Sequence, residues 1–307
     1  MMAVAPDVTR LIDEIRDDRT HGAGELARQA VSVFKAAAEY SQADDTPQFL
    51  NELSEVGQAL ILTRPSMAPI RNTVSRLLSV ISERTTARDV GSLRQFTISR
   101  VDEIISESLR AIAQIILHAR EVMTDGDRIM THSYSSTVVA LLKEVSSRCS
   151  SIEMIVTRSG TGRTGEKMVW ELSDCGLPIT FVDDTALGLY VPMVSKILLG
   201  ADMVCTDGVV NGVGSYQLVV MAAWHKVPVY IVADTTKFET NLGREGVDIE
   251  DRDGAELVDP ISLPQTVSIR NPHFDITPLE LINGVVTERG IMAPADVIAC
   301  LNVQSAI

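Results

Sequence analysis

The sequence predicts an α/β protein in which an N-terminal helical bundle is followed by a mostly parallel sheet domain. Three observations carry this. Apolar residues recur at helical spacing from Val8 to about Thr124. After Asp125-Gly126-Asp127 the pattern changes to short apolar runs that alternate with segments of helical length. Those runs are nearly continuous in apolar residues, as strands covered on both faces must be.

The helical half is read from Leu11-Ile12-Ile15, Leu26-Ala30-Val33-Phe34 and Ile104-Ile105-Leu109-Ile112-Ile115-Ile116, each of which lays an apolar stripe along one helix face. Its clearest interruption is Thr63-Arg64-Pro65-Ser66, because proline cannot sit inside a helix and pushes the residue before it out of helical geometry. At 307 residues the chain has room for two domains of roughly 150 residues each. The change of pattern divides it into a helical domain, 1–124, and an α/β domain, 125–307.

In the second half the apolar runs are RIMTHSY, IEMIVT, PITFVDD, KILLGADMVC and PVYIVAD, with VSIR and GVVTE later. Between them, SSTVVALLKEVSSR, EKMVWELSDCG and YQLVVMAAWHKV have helical length and spacing. Strand alternating with helix implies right-handed crossovers and a Rossmann-like sheet, whose ligands bind outside the C-terminal strand ends. Glu239 to Gln265, with eight acidic residues, reads as an excursion from this pattern.

Composition removes several classes of function. The 27 basic and 41 acidic residues leave a formal charge of −14, which opposes a broad hold on nucleic acid. Cys149, Cys175, Cys205 and Cys300 are widely spread, so neither a metal site nor a disulfide framework is expected, and a reducing cytoplasm fits. No basic leader and no run of about 18 apolar residues is present, so no membrane association is expected.

Candidate chemistry follows the strands. Thr131-His132-Ser133-Tyr134-Ser135-Ser136 leads into a helix, where hydroxyls and free amides can seat a phosphate or simply cap the helix. Ser159-Gly160-Thr161-Gly162-Arg163-Thr164-Gly165 contains G-x-G-x-x-G, with Asp183 and Asp184 closing the next run, the layout of a dinucleotide site and hence of a nicotinamide-dependent enzyme. The motif sits on the second strand-helix unit instead of the first, and it is not a P-loop, because Glu166-Lys167-Met168 follows Gly165. Gly200-Ala201-Asp202 and the glycine-rich stretch Asp207 to Ser215 set a carboxylate beside a helix start, a pairing suited to acid-base work on an anionic substrate.

Taken in order, His21-Gly22-Ala23-Gly24, Thr63-Arg64-Pro65, Thr131-His132, Gly200-Ala201-Asp202, Thr236-Lys237-Phe238, Asn271 to Pro278 and Thr287-Glu288-Arg289-Gly290 resemble the family that joins the translation initiation factor 2B alpha, beta and delta subunits with ribose-1,5-bisphosphate and methylthioribose-1-phosphate isomerases. The resemblance implies a ligand-binding set of His21, Gly22, Ala23, Arg64, Ser135, Asn211, Gly212 and Lys237, to which Arg158 and Arg163 are added as candidates to replace lost charge from new positions. In the isomerases a proton moves between C1 and C2 of an aldose phosphate, served by a cysteine and an aspartate. The aspartate carries over as Asp202, whereas the cysteine is replaced by Ser133, whose hydroxyl needs a neighbouring base. The arginine usual before Gly-Ala is His21 here, and the usual lysine is Gly212, so two fixed cations are missing.

The leading expectation is therefore an initiation-factor-2B-like regulatory protein that keeps a pocket for a phosphorylated sugar or nucleotide and needs no cofactor. The alternative is an aldose-ketose isomerase on ribose 1,5-bisphosphate or a related sugar, with Asp202 and Ser133 as catalytic residues. The resemblance further implies a homodimer or homohexamer, and translation initiation factor 2 is a candidate partner that the sequence does not decide.

Overall fold

The computed structural model describes residues 5–304 apart from 19, 85–88, 149–150, 161, 241, 250, 258–263 and 265. Cys149, Thr161 and part of the Glu239–Gln265 excursion lie outside the described residues. Contacts divide the chain into a unit ending at Ala111 and a unit beginning at Ile112, the division falling inside a helix ahead of the Asp125-Gly126-Asp127 turn.

The first unit is helical. Helices α1 (Pro6–Asp17), α2 (Ala23–Tyr40), α3 (Thr46–Ile61), α4 (Ala68–Ser82) and the start of α5 (Val90–Ala119) build it, with α2 packed on α1, α3 and α4. Leu26, Phe34, Phe49, Leu53, Leu60, Ile70 and Leu77 are fully buried there, and each large side chain withdrawn from water contributes about 1.5–3 kcal/mol. The Asp45 carboxylate caps α3 by accepting from the Gln48 amide (2.8 Å). Pro65 falls in the break between α3 and α4, where the sequence places it.

In the second unit a seven-stranded sheet has the order β10-β9-β7-β4-β1-β2-β3. Its strands are β1 (Arg128–Thr131), β2 (Glu153–Thr157), β3 (Ile179–Val182), β4 (Lys196–Leu199), β7 (Val229–Val232), β9 (Gly284–Thr287) and β10 (Gly290–Met292). All are parallel except β10. One face is covered by α6 (Ser136–Ser146), α7 (Thr164–Leu172) and the end of α5, through Ile115, Leu141, Leu142 and Met168. The other is covered by α8 (Leu187–Tyr190), α9 (Ser215–His225) and α10 (Pro294–Gln304), through Leu187, Leu218, Val219, Val297 and Leu301.

Three features differ from the sequence reading. KILLGADMVC is two strands, β4 and β5 (Met203–Cys205), parted at Gly200-Ala201-Asp202, where a Cβ on Gly200 would stand 2.6 Å from Ser135 Cβ. The stretch read as a glycine-rich loop holds β6 (Gly208–Gly212), which pairs antiparallel with β5 and with β8 (Phe274–Pro278) in a second sheet. VSIR is not a strand: Val267 and Ile269 are exposed, so apolar composition there reflects no burial.

Candidate functional site

The C-terminal ends of β1 and β2 meet in a network of hydroxyls. Ser133 and Ser159 both adopt left-handed backbone, with φ of 65° and 66°, a conformation that costs of order 1–3 kcal/mol for a non-glycine residue and gathers at functional sites. The Ser133 amide donates to Ser159 Oγ (2.7 Å), which ties the two loops together. Between them lies a cavity of about 20 Å³ lined by His132, Ser133, Ser159, Gly160, Gly212 and Arg252 among others. That is room for about one water-sized group.

His132 is buried and both ring nitrogens are engaged. Nε2 donates to Val213 O (2.8 Å), which leaves Nδ1 to accept from Thr157 Oγ1 (2.7 Å). Burial lowers its pKa below the ordinary histidine value against the opposing pull of Val213 O and Asp184, so the ring is neutral near pH 7. His132 therefore has no nitrogen left to take a proton from Ser133. The base that the serine needs is not supplied by its neighbour in sequence.

The fingerprint glycines have structural causes. Gly160 takes a φ of 68°, and a Cβ on Gly165 would overlap the Thr157 carbonyl where α7 packs against the end of β2. Asp184, placed where a dinucleotide site would read the ribose, instead accepts from the Ser159 and Gly160 amides (2.9 and 2.7 Å). These loop amides are thus spent on the protein's own carboxylate, which argues against a pyrophosphate at this position.

Arg158 is a surface residue 3.7 Å from Asp183 Oδ2, and Arg163 is exposed and bonded to Glu166 (2.7 Å). Neither lines the cavity, and neither do Asp202, Asn211 or Lys237. Ser135 caps α6, accepting from the Val138 amide (3.3 Å), so its hydroxyl serves the helix as the capping alternative requires. Gly212 faces Ser133 so closely that a Cβ would lie 2.5 Å from its Oγ and 2.8 Å from its Cβ, which excludes a lysine there without movement of the Ser133 loop.

Asp202, Asn211 and Lys237 gather around the β5-β6 hairpin. The half-buried Asp202 donates its amide to Val210 O (2.8 Å), which sets it across from Asn211, whose Nδ2 donates to Ser215 Oγ (2.9 Å). Val204 bridges Phe238 in parallel, so Lys237 comes level with Met203, next to Asp202. Lys237 is 5% exposed, and among the described residues its ammonium makes no hydrogen bond or ion pair. A cation on a buried lysine left in this way is partly desolvated and open to an arriving anion.

In the first unit, His21 Nδ1 lies 2.6 Å from Asp18 Oδ2 and Nε2 lies 3.4 Å from Glu25 Oε1. Burial would raise the Asp18 pKa, but hydrogen bonds from the His21 amide and ring and from the Thr20 amide outweigh it and hold the carboxyl at about 2. A histidine between two carboxylates is a poor stand-in for a free arginine. Gly22 caps α2 through its carbonyl, which accepts from the Glu25 and Leu26 amides, Ala23 is buried beside it, and the buried Arg64 donates to Asp18 O.

Three residues escaped the sequence reading as site residues: Arg252, His273 and Asp275. Asp275 of β8 pairs with Asn211 of β6 and accepts from the Gly214 and Tyr216 amides (2.7 and 3.1 Å), while its Oδ1 is buried without a partner. Burial pushes its pKa up to about 6 against those two hydrogen bonds. A raised folded-state value stabilises below the unfolded value of 3.8 and is lost as pH rises through about 6. Moving from pH 7.5 to pH 5 should therefore stabilise the wild type by about 1 kcal/mol relative to Asp275→Asn. Melting curves of both proteins at the two pH values test this, and a difference that does not change with pH refutes it.

Residues 19–294 match the sequence profile described as the Initiation factor 2 subunit family. The chain is 32% identical over 301 residues to ribose 1,5-bisphosphate isomerase of Thermococcus kodakarensis, covering 95% of this chain and 93% of the relative. It is also 32% identical, over 94% of this chain and 98% of the relative, to a Pyrococcus abyssi protein named for its likeness to translation initiation factor eIF-2B subunit 2. Among solved structures, translation initiation factor eIF-2B of Pyrococcus horikoshii superposes with a TM-score of 0.81 at 29% identity, covering 94% of this chain and 98% of that one. The 5-methylthioribose 1-phosphate isomerase of the same organism shares the fold, with a TM-score of 0.80 at 22% identity, covering 98% and 88%.

Proposed function

The chain belongs to the Initiation factor 2 subunit family, and from that premise we propose that it binds a phosphorylated sugar and interconverts its aldose and ketose forms, with ribose 1,5-bisphosphate or a close relative as substrate. The observation that carries this reading is Lys237, a buried lysine whose ammonium has no described partner, held level with the hairpin that bears Asp202. The cation seats a phosphate. The carboxylate takes the C2 proton and returns it to C1, while the bond from C1 to the ring oxygen breaks and the O2 proton passes to that oxygen, a rearrangement that neither adds nor removes atoms.

This order reverses the expectation drawn from the sequence, in which the regulatory role came first. The isomerase-named relatives, at about 30% identity across nearly the whole chain, support the change. The decisive assay is incubation of the pure protein with ribose 1,5-bisphosphate and detection of ribulose 1,5-bisphosphate. Saturable binding without turnover would replace this reading with a regulatory one. One observation favours that second reading: Ser133 stands in place of the thiol, and His132 has no nitrogen free to activate it.

Self-association belongs to the same proposal. Tyr216, Val220 and Trp224 repeat every four residues along α9 and are 44%, 45% and 83% exposed, and α8, which packs against α9, exposes Leu189. An apolar stripe of this kind marks an interface, here with a second copy of the chain. Trp224→Glu is expected to convert the oligomer to monomer in light scattering after gel filtration. A wild-type monomer, or a variant of unchanged mass, removes the α9 assignment.

A further inference from the structure

We propose that Arg252 is a phosphate-binding residue, holding one phosphate of the sugar over the Ser159–Gly165 loop beside Ser133. The inference deepens the isomerase reading and rests on it for the identity of the sugar.

Gly212 brings no cation to the cavity at Ser133, and a lysine there would overlap the serine. Arg158 and Arg163 point elsewhere and are paired on the surface. The Ser159 and Gly160 amides are committed to Asp184, so the backbone of the loop does not provide the positive field of a phosphate cradle either.

The guanidinium of Arg252 enters this same cavity from the excursion after β7. Its side chain is 14% exposed. It packs flat on Gly162, where a Cβ would overlap it, which gives that glycine a purpose unconnected with nucleotide binding. The backbone of Arg252 is fixed by donation to Asn271 O (2.7 Å), and Nη2 donates to His273 Nε2 (3.0 Å).

The counter-charge is weak. Glu256 Oε2 lies 3.5 Å from Nη1 on a side chain that is 41% exposed, a distance and setting in which an arriving dianion displaces it. Arginine carries five N–H donors in a rigid fork that matches phosphate oxygens, and the two contacts to His273 and Glu256 leave donors for a ligand. The cavity has room for the leading oxygen of a phosphoryl group, with the Ser133 and Thr164 side chains also on its wall and the sugar outside.

The test is calorimetric titration with inorganic phosphate, run beside ribose 1,5-bisphosphate turnover. Wild-type protein should bind phosphate, and Arg252→Gln should weaken binding at least tenfold. Gly162→Ala keeps the charge but displaces the guanidinium, so it should weaken binding to a similar degree, and it decides the matter if Arg252→Gln does not fold. Arg252→Lys should fall between, since a point charge replaces the fork. Absence of phosphate binding by the wild type, or equal binding by both the Arg252→Gln and Gly162→Ala proteins, overturns the inference. Turnover with unchanged phosphate affinity in the Arg252→Gln protein removes the inference and leaves the isomerase reading. Lost phosphate affinity in a protein whose wild type does not isomerise the bisphosphate does the reverse.

Discussion

Lys237→Met is expected to make the free protein more stable while weakening ligand binding. In the free protein Lys237 is a buried residue whose ammonium is unpaired among the described residues, so the charge is largely desolvated without a counter-ion in return. Methionine fills a similar volume without charge, and the gain should be about 1–3 kcal/mol, or several degrees in melting temperature. A hydrogen bond to a charged group contributes about 1.5–3 kcal/mol, so affinity for ribose 1,5-bisphosphate should fall by roughly ten- to a hundredfold. Opposite signs in the two measurements are the signature of a group kept for function. A variant that melts earlier and binds normally would show that the lysine serves the fold.

Asp202→Asn is expected to lower turnover by about 10²–10⁴-fold with little change in KM, since the amide keeps the shape of the carboxylate but cannot carry the proton. Single-turnover kinetics on ribose 1,5-bisphosphate, with solvent deuterium to follow exchange at C1, would show the loss in the chemical step. Undiminished turnover in the variant would move the proton-carrying role elsewhere, and Asp275 would be the first residue to examine. Its carboxyl has a pKa pushed up to about 6, and its backbone pairs with Asn211 between β8 and β6.

Restoring the family's usual residues one at a time meets a packing obstacle that the sequence does not reveal. Ser133→Cys alone leaves His132 bonded to Thr157 and Val213, so a thiol would gain no base from it. Gly212→Lys places a Cβ within 2.8 Å of Ser133 Cβ, and no rotamer of the serine relieves a clash with its own Cβ. The Ser133 loop would have to shift from its left-handed backbone.

Much of the architecture was legible because it depends on local pattern. Helical spacing located α1, α2 and α5 within a half read as helical throughout, and near-continuous apolar runs located β1, β2, β3, β4, β7 and β9, since strands buried on both faces tolerate few polar residues. The VSIR segment misled for the same reason: four residues of strand-like composition carry no information about whether other strands lie beside them. The division of KILLGADMVC and the β5-β6-β8 sheet were hidden because antiparallel pairing joins Gly208–Gly212 to Phe274–Pro278, more than sixty positions apart.

The sequence by itself determined the two-part α/β architecture, the family and the candidacy of Asp202, Ser133 and Lys237, because each follows from residue types in a fixed order along the chain. Tertiary structure alone decided which charges meet. It turned His21 toward Asp18 and Glu25, left Arg158 and Arg163 on the surface, closed the fingerprint amides onto Asp184 and brought Arg252 onto Gly162, ninety residues away. The physical reason is range: propensity and periodicity act over a turn or a strand, whereas an ion pair or a close approach is fixed by the folding of distant segments into one place.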